Sequence, residues 1–231
     1  MYQTKNASAV SHDEGLRQYM LSIYNWMLVG LLISAGTAFF TIESGFLLFL
    51  ETSPMLFLAI ALSPLAIIIT MVFGLSSFSE STLKTIYLSF VTLQGVSLGV
   101  VVSKYTGASV TTAFLATSVS FGSLSLWGYA TKKDLSGWGS GLIMALFGLI
   151  AVGLINIFFP SPMLSNLVAI AGVIIFAALT AYDTQKLKDV YITGNFDAGS
   201  VQKTVIMGAL NLYLDFINMF LYILRLLGEK K

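Results

Sequence analysis

Apolar residues in this chain do not alternate with polar ones. They run on for about twenty positions at a time and stop at short polar breaks. A helix needs about 20 mostly apolar residues to cross hydrocarbon. The pattern predicts seven such helices, at roughly 19–42, 55–75, 86–103, 108–129, 138–159, 164–190 and 204–227. The third is the shortest, and the sixth is long enough to run past the membrane face. A transmembrane β-barrel is excluded, because its strands would alternate apolar and polar positions. The breaks leave no room for a soluble domain. The expectation is an all-α membrane protein, with a polar cytoplasmic tail over 1–18 and one seven-helix transmembrane domain over 19–231.

Within that pattern, residues 1–12 read as disordered, and Asp13 to Gln18 as a surface segment leading into the first helix. Ser63-Pro64 predicts a kink at the centre of the second helix. Glu80 and Lys84 read as the second loop. Gly95 and Gly99 form a close-packing GxxxG pattern, taken as helix packing within the chain rather than dimerisation. Ser118, Ser120, Ser123 and Ser125 make the fourth helix serine-rich, which lets neighbours approach and bond across. Pro160 and Pro162 predict a tight turn between the fifth and sixth helices.

Composition agrees with membrane residence: the chain is 56% hydrophobic and 10% charged. A soluble domain carries about 25% charged residues. There is no cysteine and a single histidine, His12, in the polar tail, so thiolate and His-rich metal sites are excluded. A formal net charge of +1 argues against nucleic acid as a partner. The polar first 18 residues do not read as a cleavable signal, so the first apolar run acts as an uncleaved anchor. A cytoplasmic N-terminus places Lys5, Arg17, Lys84, Lys132, Lys133, Lys186, Lys188 and Lys203 inside, and only Lys104 among the outer loops. Seven full spans then put Glu229, Lys230 and Lys231 outside, against the charge pattern. The length of 204–227 decides for seven.

Two aspartates interrupt the last two runs. Asp183 lies in Ala181-Tyr182-Asp183-Thr184-Gln185, and Asp215 in Leu212-Tyr213-Leu214-Asp215-Phe216-Ile217-Asn218. A carboxylate at mid-membrane costs roughly 2.5 to 3.5 kcal/mol on insertion scales. At 100° per residue, Asn211, Asn218, Tyr222 and Arg225 fall within about 80° of Asp215, giving the seventh helix one polar face. In lipid that stripe must face protein or water, which suggests a helix at the bundle centre. A purely structural hydrogen-bonding seam is the alternative reading. Asp183 lies about 10 Å from the inner end of its helix and Asp215 about 16 Å from the start of its own, at 1.5 Å per residue. The two carboxyls can therefore meet across antiparallel neighbours. A pair in contact cannot keep both charges cheaply, so it shares a proton and becomes a pH sensor. Ionised, it offers two hard oxygens suited to Ca²⁺, which would be bound weakly as a permeant ion. No tightly bound cofactor is expected; the partners are the lipid bilayer, Ca²⁺ and protons. Lys186 is a possible counter-charge for Asp183. Arg225 is about 15 Å beyond Asp215 and is expected at the far interface.

The chain resembles the Bax inhibitor-1 family, also called TMBIM, and its bacterial members most. The resemblance covers nearly everything after residue 14. It rests on Gly15-Leu16-Arg17, Tyr19-Met20, Tyr24-Asn25-Trp26-Met27 and Phe121-Gly122. It rests further on Ser125-Leu126-Trp127-Gly128-Tyr129-Ala130-Thr131-Lys132-Lys133-Asp134-Leu135 and on the two aspartate motifs above. It implies a last helix wrapped by two layers of three. It also implies a pH-sensitive calcium leak, opened by mild acid, with a di-aspartyl pair at Asp183 and Asp215. Some relatives pair that dyad with a basic residue on the second helix, and this chain has none there.

Other functions were weighed on the residues. Intramembrane aspartyl proteases also set Tyr-Asp on one helix, as Tyr182-Asp183 does, but need Gly-Xaa-Gly before the second Asp. Here Leu212-Tyr213-Leu214 stands there, and no proline follows Pro162 to supply a Pro-Ala-Leu signature. No enzyme is expected. A proton-coupled transporter would show broken inverted repeats, which are not evident. A membrane protein that modulates a protease or another channel is the remaining alternative.

Overall fold

Hydroxyl caps and prolines set where the helices begin. Ser79 Oγ accepts the Thr82 N–H at 3.1 Å, Thr106 Oγ1 accepts that of Ser109 at 3.3 Å, and Ser161 Oγ accepts that of Leu164 at 3.4 Å. Each satisfies a first-turn donor that has no partner inside its helix. Pro54 and Pro162 open their helices, where the missing N–H removes no helical bond. Gly45 turns the chain at φ +73°, a left-handed conformation that costs glycine little.

The computed structural model describes residues 2–194 and 198–231, with side chains from residue 14 onward except at 51 and 198–199. Its helices are α1 (Tyr2–Glu43), α2 (Phe46–Glu51), α3 (Pro54–Gly74), α4 (Glu80–Val102), α5 (Gly107–Ala130), α6 (Gly139–Phe158), α7 (Pro162–Thr193) and α8 (Ala198–Leu227), with a 3₁₀ turn at Ser136–Trp138. Among the described residues, seven stretches are long and apolar enough to cross a membrane, in the order the hydropathy pattern predicts.

Three expectations are corrected. The polar tail is helical from Tyr2 rather than irregular; it holds no proline, and its first glycine is Gly15. Glu80 and Lys84 belong to the first turns of α4, where they form an i,i+4 ion pair behind the Ser79 cap. The third span is thereby 23 residues long, and α6, with 20, is the shortest spanning helix. The first connection contains the short helix α2. Pro64 lies inside an α3 that continues through it. The side chains of Lys5 and His12, and residues 195–197 of the last loop, lie outside the described residues.

The fold divides into two compact units, and α8 supplies a segment to each: as far as Tyr213 to one, and from Leu214 to the other. In the first unit α4 packs on α1 and α3. The Gly95/Gly99 pattern serves this packing within the chain. A Cβ on Gly95 would meet the Ser34 carbonyl at 2.7 Å, and one on Gly99 the Ala38 carbonyl at 3.0 Å. In the second unit α7 packs on α5 and α6. Of the four serines expected to bridge helices, Ser125 does so, meeting Thr184 Oγ1 at 2.9 Å. Asn156 staples the α6–α7 turn, accepting from Ser161 N at 3.1 Å and donating to Ser165 Oγ at 2.8 Å. The seventh span is the most enclosed: 67% of its window is buried, against 33% or less for the others. That agrees with a central last helix.

After α8 the tail folds onto the α4–α5 connection. Tyr105 and Lys230 form an antiparallel bridge, Thr106 N donates to the Glu229 carbonyl at 3.0 Å, and Glu229 N donates to Ser109 Oγ at 2.9 Å. The C-terminus therefore shares a face with that connection, and seven full spans are made. Accessibility tags placed after Lys231 and between Lys132 and Lys133 should report opposite sides of the membrane. On α5, a Cβ at Gly128 would collide with the Ala181 carbonyl oxygen, whereas Gly122 has nothing within 4 Å of its Cβ position. Gly128→Ala should cost about 1–3 kcal/mol by overpacking. Gly122→Ala should be neutral or add up to about 1 kcal/mol of helix propensity. Thermal unfolding in detergent separates the two.

Candidate functional site

The site is built on the faces that α7 and α8 turn to each other. At 100° per residue, Gly172 and Phe176 lie within about 20° of Asp183 around α7. Tyr222 of α8 packs on both. Its ring takes the place of a side chain at Gly172, where a Cβ would meet a ring carbon at 2.5 Å. It also stacks on Phe176 at 5.9 Å between centroids and 25° between planes. α7 and α8 are antiparallel. Seven residues on from Phe176 is Asp183, and seven back from Tyr222 is Asp215. The register that stacks the rings therefore sets the two acids opposite each other about two turns, or 10 Å, away.

Their surroundings differ. Asp215 is only 4% exposed, and its Oδ2 is buried without a hydrogen-bond partner. The next residue, Phe216, packs edge-on against Phe114 at 5.7 Å and Phe121 at 5.5 Å, so the wall on that side is aromatic. Asp183 is half-buried. Lys186, the possible counter-charge, lies 5.8 Å over the Tyr182 ring. The ion pairs among the described residues are Arg17–Glu14 and Lys84–Glu80, neither of them at the dyad. No group of three or more metal-ligating side chains occurs among the described residues. The donor set is two carboxylates, too few to hold a divalent cation tightly.

The rest of the expected polar face is arranged otherwise. Asn218 Nδ2 donates to the Leu214 carbonyl of its own helix at 2.8 Å. Asn211 is half-buried, and Arg225 is exposed ten residues beyond Asp215. Tyr222 is the member of this set that packs on α7.

Several polar residues were given no role by the sequence reading. Gln185 spans the α5–3₁₀ connection with both ends of its amide. Its Oε1 accepts Leu135 N–H at 2.7 Å and its Nε2 donates to the Lys133 carbonyl at 2.8 Å. Lys188 Nζ donates to the Tyr129 carbonyl in the last turn of α5 at 2.9 Å. In the same connection Asp134 Oδ1 accepts Ser136 N–H at 2.8 Å; that bond and one from the Ser136 side chain hold its carboxyl below the usual range. In the first unit, the Tyr213 hydroxyl meets Ser34 Oγ at 2.6 Å, and Ser34 donates to the Val91 carbonyl at 2.7 Å. The available signal was the type of these residues: an amide, a lysine and a phenol inside or bordering apolar helix.

Residues 16–231 match the family model described as inhibitor of apoptosis-promoting Bax1. The chain is 38% identical over 229 residues to inner membrane protein YbhL of Escherichia coli, covering 98% of each chain. An uncharacterized protein of Caulobacter vibrioides is 38% identical over 234 residues, covering 96% of this chain and 92% of its own. An uncharacterized protein of Borreliella burgdorferi is 35% identical over 215 residues, covering 93% of each.

Tyr213→Phe removes one buried hydroxyl and leaves Ser34 its bond to Val91. It should lower stability in detergent by about 1 kcal/mol. Chemical denaturation of the two proteins side by side checks this.

Proposed function

Since the chain belongs to the Bax inhibitor-1 family and is an integral membrane protein with seven helices able to span the bilayer, we propose that it is a pH-sensitive calcium leak gated by Asp183 and Asp215. The observation that carries the reading is a buried, unpartnered oxygen on Asp215, set opposite the second carboxyl by the α7–α8 register. In such surroundings the pair is held together by a proton shared between the two acids. Ionised, the pair offers two hard oxygens, suited to Ca²⁺ rather than to softer ions. Two ligands bind weakly, as conduction requires, because the ion must leave again. Calcium is thus cargo, and no resident cofactor is invoked.

The location follows from the same family. YbhL, the similar protein of Escherichia coli, is an inner membrane protein, and we assign this chain to the equivalent membrane. The Lys132-Lys133 pair and Lys186, Lys188 and Lys203 support a cytoplasmic N-terminus. The protein acts by conduction, with no catalytic residue.

Purified protein in liposomes should pass Ca²⁺ passively, at a rate that changes with pH. Asp183→Asn and Asp215→Asn should each flatten that pH dependence. PH dependence unchanged in both variants would remove the pair as the sensor. Flux that needs a counter-solute would turn the reading to a proton-coupled transporter.

A further inference from the structure

α7 has two faces, and they do different work. One carries Gly172, Phe176 and Asp183 toward α8. On the other, between about 100° and 200° from Asp183, lie Ala181, Thr184, Gln185 and Lys188. All four meet α5 or the segment just after it. The Ala181 backbone fills the space left by Gly128, and Thr184 Oγ1 bonds Ser125 Oγ at 2.9 Å. Gln185 grips the backbone at Lys133 and Leu135. Lys188 caps the Tyr129 carbonyl, at the helix end where a cation is favoured.

Gln185 is 7% exposed, and the Leu135 it holds is 1% exposed. A buried primary amide with both ends occupied is costly to displace, because breaking either bond leaves a polar atom unsatisfied. Two bonds from one planar group also fix direction, which a single bond does not. A helix held on one side by a close backbone contact alone can still roll about its axis. The amide and the lysine block that roll. Asp183 sits on the opposite side of the same two turns, so its direction follows from theirs.

We infer that Gln185, supported by Thr184 and Lys188, is a positioning residue: it sets the rotation of α7 so that Asp183 faces α8. Gln185 touches neither carboxyl and acts through the helix. The inference deepens the calcium pathway proposed above and rests on it for the transport readout only.

The test uses the cysteine-free chain. Gln185→Leu should lower Ca²⁺ flux in liposomes roughly tenfold, the low end of what losing a group that orients a ligand costs. Gln185→Glu keeps an acceptor for Leu135 N–H and gives up the donor to Lys133, so it should fall between. It also carries the comparison if the leucine variant does not fold. A disulfide from Ser125→Cys with Thr184→Cys, formed in the Gln185→Leu background, should restore flux when oxidised and not when reduced. Spin labels at the exposed positions 132 and 189, through Lys132→Cys and Asp189→Cys, give a readout independent of transport. Their distance distribution should broaden in Gln185→Leu. An unbroadened distribution, or flux that the disulfide does not restore, overturns the inference. Labels that broaden as expected in a protein without calcium flux would leave the positioning role standing and remove the calcium reading instead.

Discussion

Asp215 is buried beside Phe216, whose ring packs on Phe114 and Phe121, on the most enclosed of the described spans. A charge in hydrocarbon-like surroundings is penalised by roughly 2.5 to 3.5 kcal/mol even on lenient scales. That penalty constrains the neighbourhood. The group opposite must be able to neutralise Asp215 or to leave with it. A fixed lysine would do the first and prevent the second. The α7–α8 register puts Asp183 on that side, and Lys186, three residues on from Asp183, lies over the Tyr182 ring. Between two acids the neutralising agent is a proton, which moves faster than any side chain. On the function proposed above, that choice of partner turns an electrostatic cost into a response.

Several other polar side chains of the second unit are satisfied within their own helix. Thr117, Thr180 and Thr184 donate to the carbonyl one turn back at 2.7 to 2.8 Å. Asn218 does the same on α8. In lipid no hydrophobic force draws helices together, so approach depends on small residues and on hydroxyls satisfied at home. Gly128 against Ala181 and Gly172 against Tyr222 provide that approach. A carboxylate has no donor to offer its own backbone. It is the one side chain of this set for which the local solution fails, and it must look across to the next helix.

This difference also decides what was legible in the sequence. Continuous apolar runs declare the spans, because every buried backbone group in a membrane must be satisfied within its own helix. Span edges were misread where polar residues cap or brace a helix: Ser79 with Glu80 and Lys84 looked like loop and is the start of α4. The two aspartates stood out by cost. Their levels could be bracketed by depth to within about a turn; the stacking of Phe176 on Tyr222 is what sets the register of the two helices, and aromatic registers leave no mark in a hydropathy pattern. Gln185 escaped for a further reason. Its partners are the carbonyl of Lys133 and the N–H of Leu135. A sequence does not show which backbone groups a turn leaves unpaired. Asn218 is the converse: its place on a polar face suggested a bond across, and its own carbonyl took it.

The anchors of α7 and α8 lie beyond the acids in opposite directions. Gln185 and Lys188 hold α7 just past Asp183, at the end bearing the Lys132–Leu135 connection. Glu229 and Lys230 hold α8 well past Asp215, at the other end, through Thr106, Ser109 and Tyr105. On the function proposed above, like charges on the pair would push the two helices apart between these fixed points. Neither helix can answer by sliding along its axis, since each is tied at one end to a connection between helices. Rotation of α7 is opposed by a doubly bonded amide two residues from Asp183. On α8 the Tyr213 hydroxyl, bonded to Ser34, lies two residues before Asp215. Both acids thus have a hydrogen-bonded brace two residues away, and what separates the α7–α8 seam from those braces is its apolar rings: Phe216 on Phe114 and Phe121, and Tyr222 on Phe176, are contacts that can be remade without leaving a hydrogen bond unpaired.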